Sequence, residues 1–338
     1  MSARPPAVIA TFGRLDKLDA KMAHGILRYC DNVVGVLDEA HAGRRANQVI
    51  PYVGRDLPVV GTLEEAVGLG AEELVIGAAP PGGAAAPEMV STTRAALERG
   101  LWVVHGLHNR FQEIPELAPF AERIVELRHR PVQERVGTGA AASLDATVVL
   151  TVASDCASGK MTSALELWQG LQRRGRDAVF VATGQTGMYI SGNGAAIDAV
   201  TSDFLAGVTE QLVVDQADHE FIIVEGQGAI LHPAYSGVTL ALMHASAPSV
   251  LLFCHDLGRT KFEYFEPEFA DPREEIALIE TLCSYRRPAK VAGICAMTRG
   301  LDAEQAKRAM AELEDHVGLP VATPLDPDFE RLIDRVAA

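Results

Sequence analysis

Along the first third of the chain, short apolar runs alternate with stretches whose apolar residues recur at helical spacing. PAVIAT is followed by a helical pattern from Asp16 to Tyr29, NVVGVLD by one from Leu63 to Leu69, and ELVIG by a unit that opens at Ala79 to Gly83 and carries a helix ending near Gly100, before WVVHGL. Runs that are apolar throughout, rather than at every second position, suit strands buried on both faces, and parallel neighbours need helical crossovers between them. The pattern therefore predicts a Rossmann-like parallel sheet. Gly13 stands alone after the first run, far from G-x-G-x-x-G, so the pattern assigns this half no cofactor.

Between about Arg128 and Asp145 the alternation breaks into HRPVQERVGTGAAASLD, a basic, Pro- and Gly-bearing and then Ala-rich segment of linker character. Strand-like runs then resume at ATVVLTVA, DAVFVA, EFIIVE, SVLLFC and KVAGICAM, with LPVATPL as one more. Two α/β domains are expected, residues 1–135 and 136–338, and the small-residue loop SDCASGK after the first strand of the second makes that domain P-loop nucleoside-triphosphatase-like. A length of 338 residues agrees with this, since single cores stop growing near ~250–300 residues.

Composition changes the picture in three ways. With 48% hydrophobic and 22% charged residues the chain has an ordinary globular make-up. The net charge of −15 repels nucleic acid and anionic membranes, so an anionic ligand needs a local site. The opening MSARPPAVIATFG has neither a signal-peptide h-region nor an apolar span, and Cys30, Cys156, Cys254, Cys283 and Cys295 form no C-x-x-C pair. The expectation is a cytoplasmic protein with reduced thiols, acting on a small molecule, with no nucleic-acid or membrane partner and with homo-oligomerisation left open.

The strongest chemical signal is TVVLTVASDCASGKMTSALELWQGL, a strand running through a small-residue loop into a helix. Such a loop aims backbone N–H groups at phosphate oxygens, the helix adds the positive end of its dipole, and Lys160 adds a point charge. Ser154, Cys156, Ala157, Ser158, Gly159, Lys160, Met161 and Thr162 are the candidate phosphate-binding residues, with the Thr162 hydroxyl available to Mg²⁺. The match to G-x-x-x-x-G-K-[ST] is imperfect, because Ser154 stands five residues before Gly159 and Met161 fills the slot after Lys160. A plain strand-to-helix turn with an exposed Lys is the alternative.

Glu225 ends the run EFIIVE before Gly-Gln-Gly, and a carboxylate there suits the Mg²⁺ shell, unless it is simply a solvated strand end. Asp155, inside the loop, is a further oxygen donor to metal or substrate. The Gly-dense stretch from Thr183 to Gly194 reads as a loop, flexible or closing on a ligand, and makes Gln185, Thr186 and Ser191 substrate-contact candidates. His232 is a candidate general base or a capping residue, and Cys156 a candidate thiolate or a small loop residue. Arg110 in GLHNRF, and Arg259 and Lys261 in HDLGRTKF, are candidate clamps for an acidic substrate. Lys160, Asp155 and His232 form the candidate catalytic set.

Taken together, SDCASGKMTSALEL, ATGQTG, VEGQG-x-x-x-HP and SGVTLALMH resemble a family of bacterial P-loop proteins with an N-terminal Rossmann-like domain. The family's loop opens Gly-Thr-Asp-Cys and continues Gly-Lys-Met-Thr; Ala153 and Ser154 replace the first two residues here, and Asp155, Cys156, Gly159, Lys160, Met161 and Thr162 agree. Some members are N-acetyltransferases of D-glutamate, working beside an enolase-type racemase. The resemblance thus implies that the loop holds the phosphates of acetyl-CoA while a substrate amine attacks the thioester. The loop also resembles that of dethiobiotin synthetase, which implies instead ATP, Mg²⁺ and phosphoryl activation of a carboxylate or carbamate by a ligase or kinase. Related P-loop ATPases imply a third reading, a nucleotide-switched regulatory protein. Where the family's strand beside the base site often ends in Asn, this chain has Met297-Thr298.

Overall fold

The computed structural model describes residues 4–78, 84–263 and 265–338. It divides the chain into two units, Met1–Pro131 with Met188–Gly192, and Val132–Gly187 with Asn193–Ala338. Residues 79–83, where the sequence opens its third strand-helix unit, lie outside the described residues.

In the first unit the strands are β1 (Ala7–Ala10), β2 (Val33–Leu37), β3 (Val59–Val60), β4 (Glu73–Ile76), β5 (Trp102–His105) and β6 (Ile124–Glu126). They form one parallel sheet in the order β3-β2-β1-β4-β5-β6. Helices α1 (Lys21–Tyr29), α2 (Ala46–Val49), α3 (Leu63–Gly68) and α4 (Pro87–Glu98) accompany it. The central strands β1 and β4 are buried at every position, which is why their sequences, Glu73 apart, are apolar without alternation. The helical pattern from Asp16 yields an α-helix only from Lys21, because Leu18–Ala20 winds as a tighter 3₁₀ turn. At the end of β2 the buried Asp38 accepts from Thr11 Oγ1 at 2.6 Å and from the Leu15 N–H at 3.1 Å, and it meets His41 Nδ1 at 2.8 Å. The acid that a dinucleotide-binding sheet would turn to a ribose is here spent on its own turn.

In the second unit β7 (Thr147–Ala153), β8 (Ala178–Val181), β9 (Phe221–Val224), β10 (Val250–Asp256), β11 (Lys290–Met297) and β12 (Val321–Ala322) form a second parallel sheet, in the order β12-β11-β10-β7-β9-β8. Its helices are α5 (Lys160–Arg173), α6 (Gln185–Ser191), α7 (Ser202–Val214), α8 (Ser236–Ser246), α9 (Pro272–Ser284), α10 (Ala303–Val317) and α11 (Glu330–Ala337); the last residues of α6 cluster with the first unit. Val148, Leu150, Val152, Phe253, Ile279 and Ile294 are at the heart of this unit's core. β7 lies between β9 and β10, so the chain turns back across the sheet there, and the crevice beyond the carboxyl ends of these strands is where open α/β sheets bind ligands. Both domains are parallel-sheet α/β units, as the hydrophobic pattern predicts, the first Rossmann-like and the second a P-loop domain with its strand, loop and helix around Gly159-Lys160. No helix among the described residues is long and apolar enough to cross a membrane.

Candidate functional site

The site grows from the end of β7. Ala153 closes the strand, the chain turns through residues 154–159, and α5 begins at Lys160. Two residues of the turn adopt left-handed backbone, Ala157 at φ +53° and Gly159 at φ +92°. Gly159 is also closely packed, since a Cβ there would lie 2.5 Å from Met297 Sδ. Met297, at the end of β11, thus packs on the loop.

Lys160 is buried rather than exposed, at 8%. Its Nζ donates to the Asp155 carbonyl at 2.8 Å, and its stem passes over Gly226, where a Cβ would stand 3.2 Å from Lys160 Cδ and 1.7 Å from the Thr151 carbonyl oxygen. Only glycine lets the end of β9 approach β7 so closely. Gly226 N–H donates to Thr151 Oγ1 at 2.9 Å and completes the joint.

Glu225, one residue earlier, is buried, and its Oε2 accepts from the N–H groups of Thr183 at 3.0 Å and Gly184 at 3.2 Å. These N–H groups open α6. The stretch from Thr183 reads as a Gly-rich loop in sequence, yet residues 185–191 are helical, and a carboxylate from a distant strand anchors the two residues that lead into the helix. Burial pushes the Glu225 carboxyl up to about 7, against the pull of these N–H groups and the Lys160 charge. Oε1 is the oxygen left to a cation. Thr162, the other metal candidate, is half-buried on the first turn of α5, and so is Met161 before it. Gln185 is half-buried, while Thr186 and Ser191 are buried.

Asp155 is fully buried and is the hub of the loop. Its Oδ1 accepts from the Cys156 N–H at 2.6 Å, and its Oδ2 accepts from Arg259 Nη1 at 2.7 Å and the Glu263 N–H at 2.8 Å. The same guanidinium reaches the Cys156 carbonyl at 3.1 Å, Ser158 Oγ at 3.2 Å and, through Nε, Asp256 Oδ2 at 3.1 Å. Arg299 pairs with Asp256 Oδ2 at 3.1 Å and donates to the Ala157 carbonyl. Three cations, Lys160, Arg259 and Arg299, therefore bond to carbonyls of the loop, and Asp256 holds two of them in place. Ser154 turns its hydroxyl away to His255 Nδ1 at 2.8 Å, so its backbone is what it contributes to the loop. Lys261 pairs instead with Glu266 at 3.3 Å, and Arg110 belongs to the first unit, where it bonds Glu113 at 3.0 Å and Glu126 at 3.5 Å.

His232 is buried, with Nδ1 accepting from the N–H groups of Ala234 at 3.0 Å and Tyr235 at 3.2 Å. The ring proton is thereby placed on Nε2, which faces Asp155 Oδ1 at 3.4 Å. Burial, helped by the Lys160 charge, keeps this imidazole below its ordinary pKa although Asp155 opposes it. The sequence offers His232 as a general base; in this arrangement it is a neutral N–H donor. The Cys156 thiol, an Asp155 oxygen and a His232 ring nitrogen all lie within 4.8 Å of one another. The trio has the look of a metal site, but a ligating imidazole needs a bare nitrogen facing the ion. Here Nε2 carries the proton and the Asp155 oxygens are committed, so these residues do not fit a metal.

Sequence reasoning missed Asp256, Arg299 and Glu275. The first two stand at or just beyond strand ends, a position that could have flagged them. Glu275, in the first turn of α9, is 2% exposed, its Oε1 has no hydrogen-bond partner among the described residues, and burial pushes its carboxyl up to about 8 against the nearby Lys160 charge, with Asp155 adding to the rise. Nothing in its sequence neighbourhood sets it apart from an acidic residue at an ordinary helix start.

Comparison with known proteins agrees with this architecture. Residues 39–130 match a family model described as a DUF1611 N-terminal Rossmann-like domain, and residues 135–333 one described as its P-loop domain. The chain is 36% identical over 332 residues to a D-glutamate N-acetyltransferase of Tritonibacter scottomollicae, covering 96% of both chains. It is 31% identical over 340 residues to another so named from a Pseudoalteromonas species, covering 98% of this chain and 99% of that one. A crystal structure of a DUF1611 family protein from Anabaena variabilis superposes with a TM-score of 0.93 at 33% identity, covering 99% of each chain. The chain belongs to the DUF1611 family, whose members join a Rossmann-like domain to a P-loop domain.

Proposed function

We propose that this protein is an N-acetyltransferase that transfers an acetyl group from acetyl-CoA to the amine of a small acidic D-amino acid, D-glutamate first among them. The observation that carries this reading is the full-length similarity to two proteins bearing that name. The site supports it with a loop ringed by Lys160, Arg259 and Arg299, suited to the phosphates of coenzyme A. Arg259 sits closest to the buried acid and is assigned to the donor's phosphates or the acceptor's carboxylate, with Gln185 and Thr186 lining the acceptor. His232 offers its N–H to the oxygen of the tetrahedral intermediate. Mg²⁺ belongs with the ATP-dependent alternative, in which Thr162 and Glu225 Oε1 would hold it and it would neutralise phosphate charge.

The two chemistries release different products. Protein given acetyl-CoA and a panel of D- and L-amino acids should liberate CoA thiol, most strongly with D-glutamate. If no thiol appears with any amino acid, while ADP accumulates from ATP, Mg²⁺, a carboxylate and an amine, the transferase reading gives way to the ligase.

A further inference from the structure

We propose that Cys156 takes the acetyl group in mid-reaction, as an S-acetyl-cysteine on the phosphate loop that the acceptor amine then discharges. This rests on the acyl-transfer reading above. Cys156 is the half-exposed cysteine, whereas Cys30, Cys254, Cys283 and Cys295 are buried. Burial pushes the thiols of Cys30 and Cys283 up to about 11 and about 12, out of nucleophilic range at neutral pH. Cys156 stands in the phosphate loop, four residues before α5 begins, with Arg259 bonded to its carbonyl and Lys160 to the carbonyl of Asp155.

Its neighbours supply what a thioester exchange needs. The thiol, Asp155 and His232 share one 4.8 Å cluster. The His232 N–H is fixed on Nε2 and held 3.4 Å from Asp155, longer than a good hydrogen bond, so the donor is not used up. Tyr235, Phe262 and Phe265 pack around that imidazole with ring centroids 4.7, 5.3 and 4.9 Å away. Tyr235 and Phe265 are 52% and 36% exposed, an apolar wall open to a ligand's uncharged arm. Glu275, whose buried Oε1 has no hydrogen-bond partner among the described residues, feels the charges of both Asp155 and Lys160.

In the first half-reaction the Cys156 sulfur, having given its proton to water, bonds to the acetyl carbonyl carbon. The carbon–sulfur bond to CoA breaks, and the CoA thiolate leaves and takes a proton from water. In the second, the neutral acceptor amine bonds to the same carbon, the bond to Cys156 breaks, and the amine's surplus proton passes through water to the Cys156 sulfur. No oxidant, reductant or metal enters the balance.

The test uses the full chain and acetyl-CoA without an amino acid. Intact mass should rise by about 42 Da, one equivalent of CoA should appear as a burst, and label should exchange between CoA and acetyl-CoA, the marks of a ping-pong route. Peptide mapping should place the adduct on Cys156, and Cys156→Ala and Cys156→Ser should lose adduct and exchange and turn over at least about a hundredfold more slowly. Should either variant misfold, the wild-type adduct and exchange still decide. CoA release that requires D-glutamate, with no adduct, no exchange and undiminished turnover in Cys156→Ala, overturns the proposal and leaves the transferase reading intact. Absence of CoA release with every acceptor removes both.

Discussion

Arg259 Nη1 lies 2.7 Å from Asp155 Oδ2, and through that single contact a residue beyond β10 is tied to the buried hub of a loop 104 positions earlier. The planar guanidinium also reaches Cys156, Ser158 and Asp256, a geometry that a lysine cannot reproduce. Arg259→Lys should therefore keep the charge and lose the loop's shape. Charge-assisted hydrogen bonds contribute about 1.5–3 kcal/mol each, so the KM for acetyl-CoA should rise about tenfold or more. Steady-state kinetics check this, and an unchanged KM would mean that Arg259 only braces the surface.

Lys160→Ala should abolish binding of the phosphate-bearing substrate, with effects on stability that an exposed lysine would not show. The ammonium is buried, and its charge favours the ionised forms of Glu225 and Glu275. Removing it should raise both carboxyls further and leave the Asp155 carbonyl without that donor, costing about 1–3 kcal/mol. Calorimetric titration with acetyl-CoA and a thermal melt separate the two effects; unaltered affinity would remove the phosphate-loop assignment.

The chain's α/β alternation and the strand, loop, helix order around Gly159-Lys160 were legible because each depends on local pattern. β3 and β6 were not, since two and three residues are too few to show a period. α6 was hidden for another reason, as the two residues leading into it are held by Glu225, about forty residues away, and local sequence holds no trace of that partner. The loop's residues were readable by type, but the roles of Asp155 as hub and His232 as donor come from contacts 77 to 108 positions apart. Glu275 shows the limit most clearly, because its burial is decided by neighbours outside its own helix.

Glu275 should make stability fall as pH rises. Its folded pKa, about 8, lies above the ordinary 4.5, so the folded state holds a proton that the unfolded state has lost. The stabilisation is full below about pH 4.5 and is lost as pH climbs through about 8. Glu225, at about 7, acts in the same direction. Between pH 6 and pH 9 the thermal midpoint should therefore drop in the wild type and drop less in Glu275→Gln, which has no proton to lose. Parallel melting curves for the two proteins across that range would mean that Glu275 ionises freely.

His232 offers the sharpest distinction between donor and base. With Nδ1 occupied by the Ala234 and Tyr235 N–H groups, the free function of the ring is the Nε2–H that faces Asp155. A glutamine side chain can present an amide N–H in the same direction and cannot serve as a base near neutral pH. Removing a donor to a developing oxyanion costs about a hundredfold to a thousandfold in kcat, so His232→Leu should show that loss, while His232→Gln should recover at least about tenfold of it. The pH profile of kcat/KM should keep its acid limb in the glutamine variant, because that limb does not come from the imidazole. Equal losses in the two variants, with the acid limb gone from the glutamine profile, would restore His232 as the proton acceptor and require its Nδ1 to exchange the two backbone N–H groups for a proton of its own.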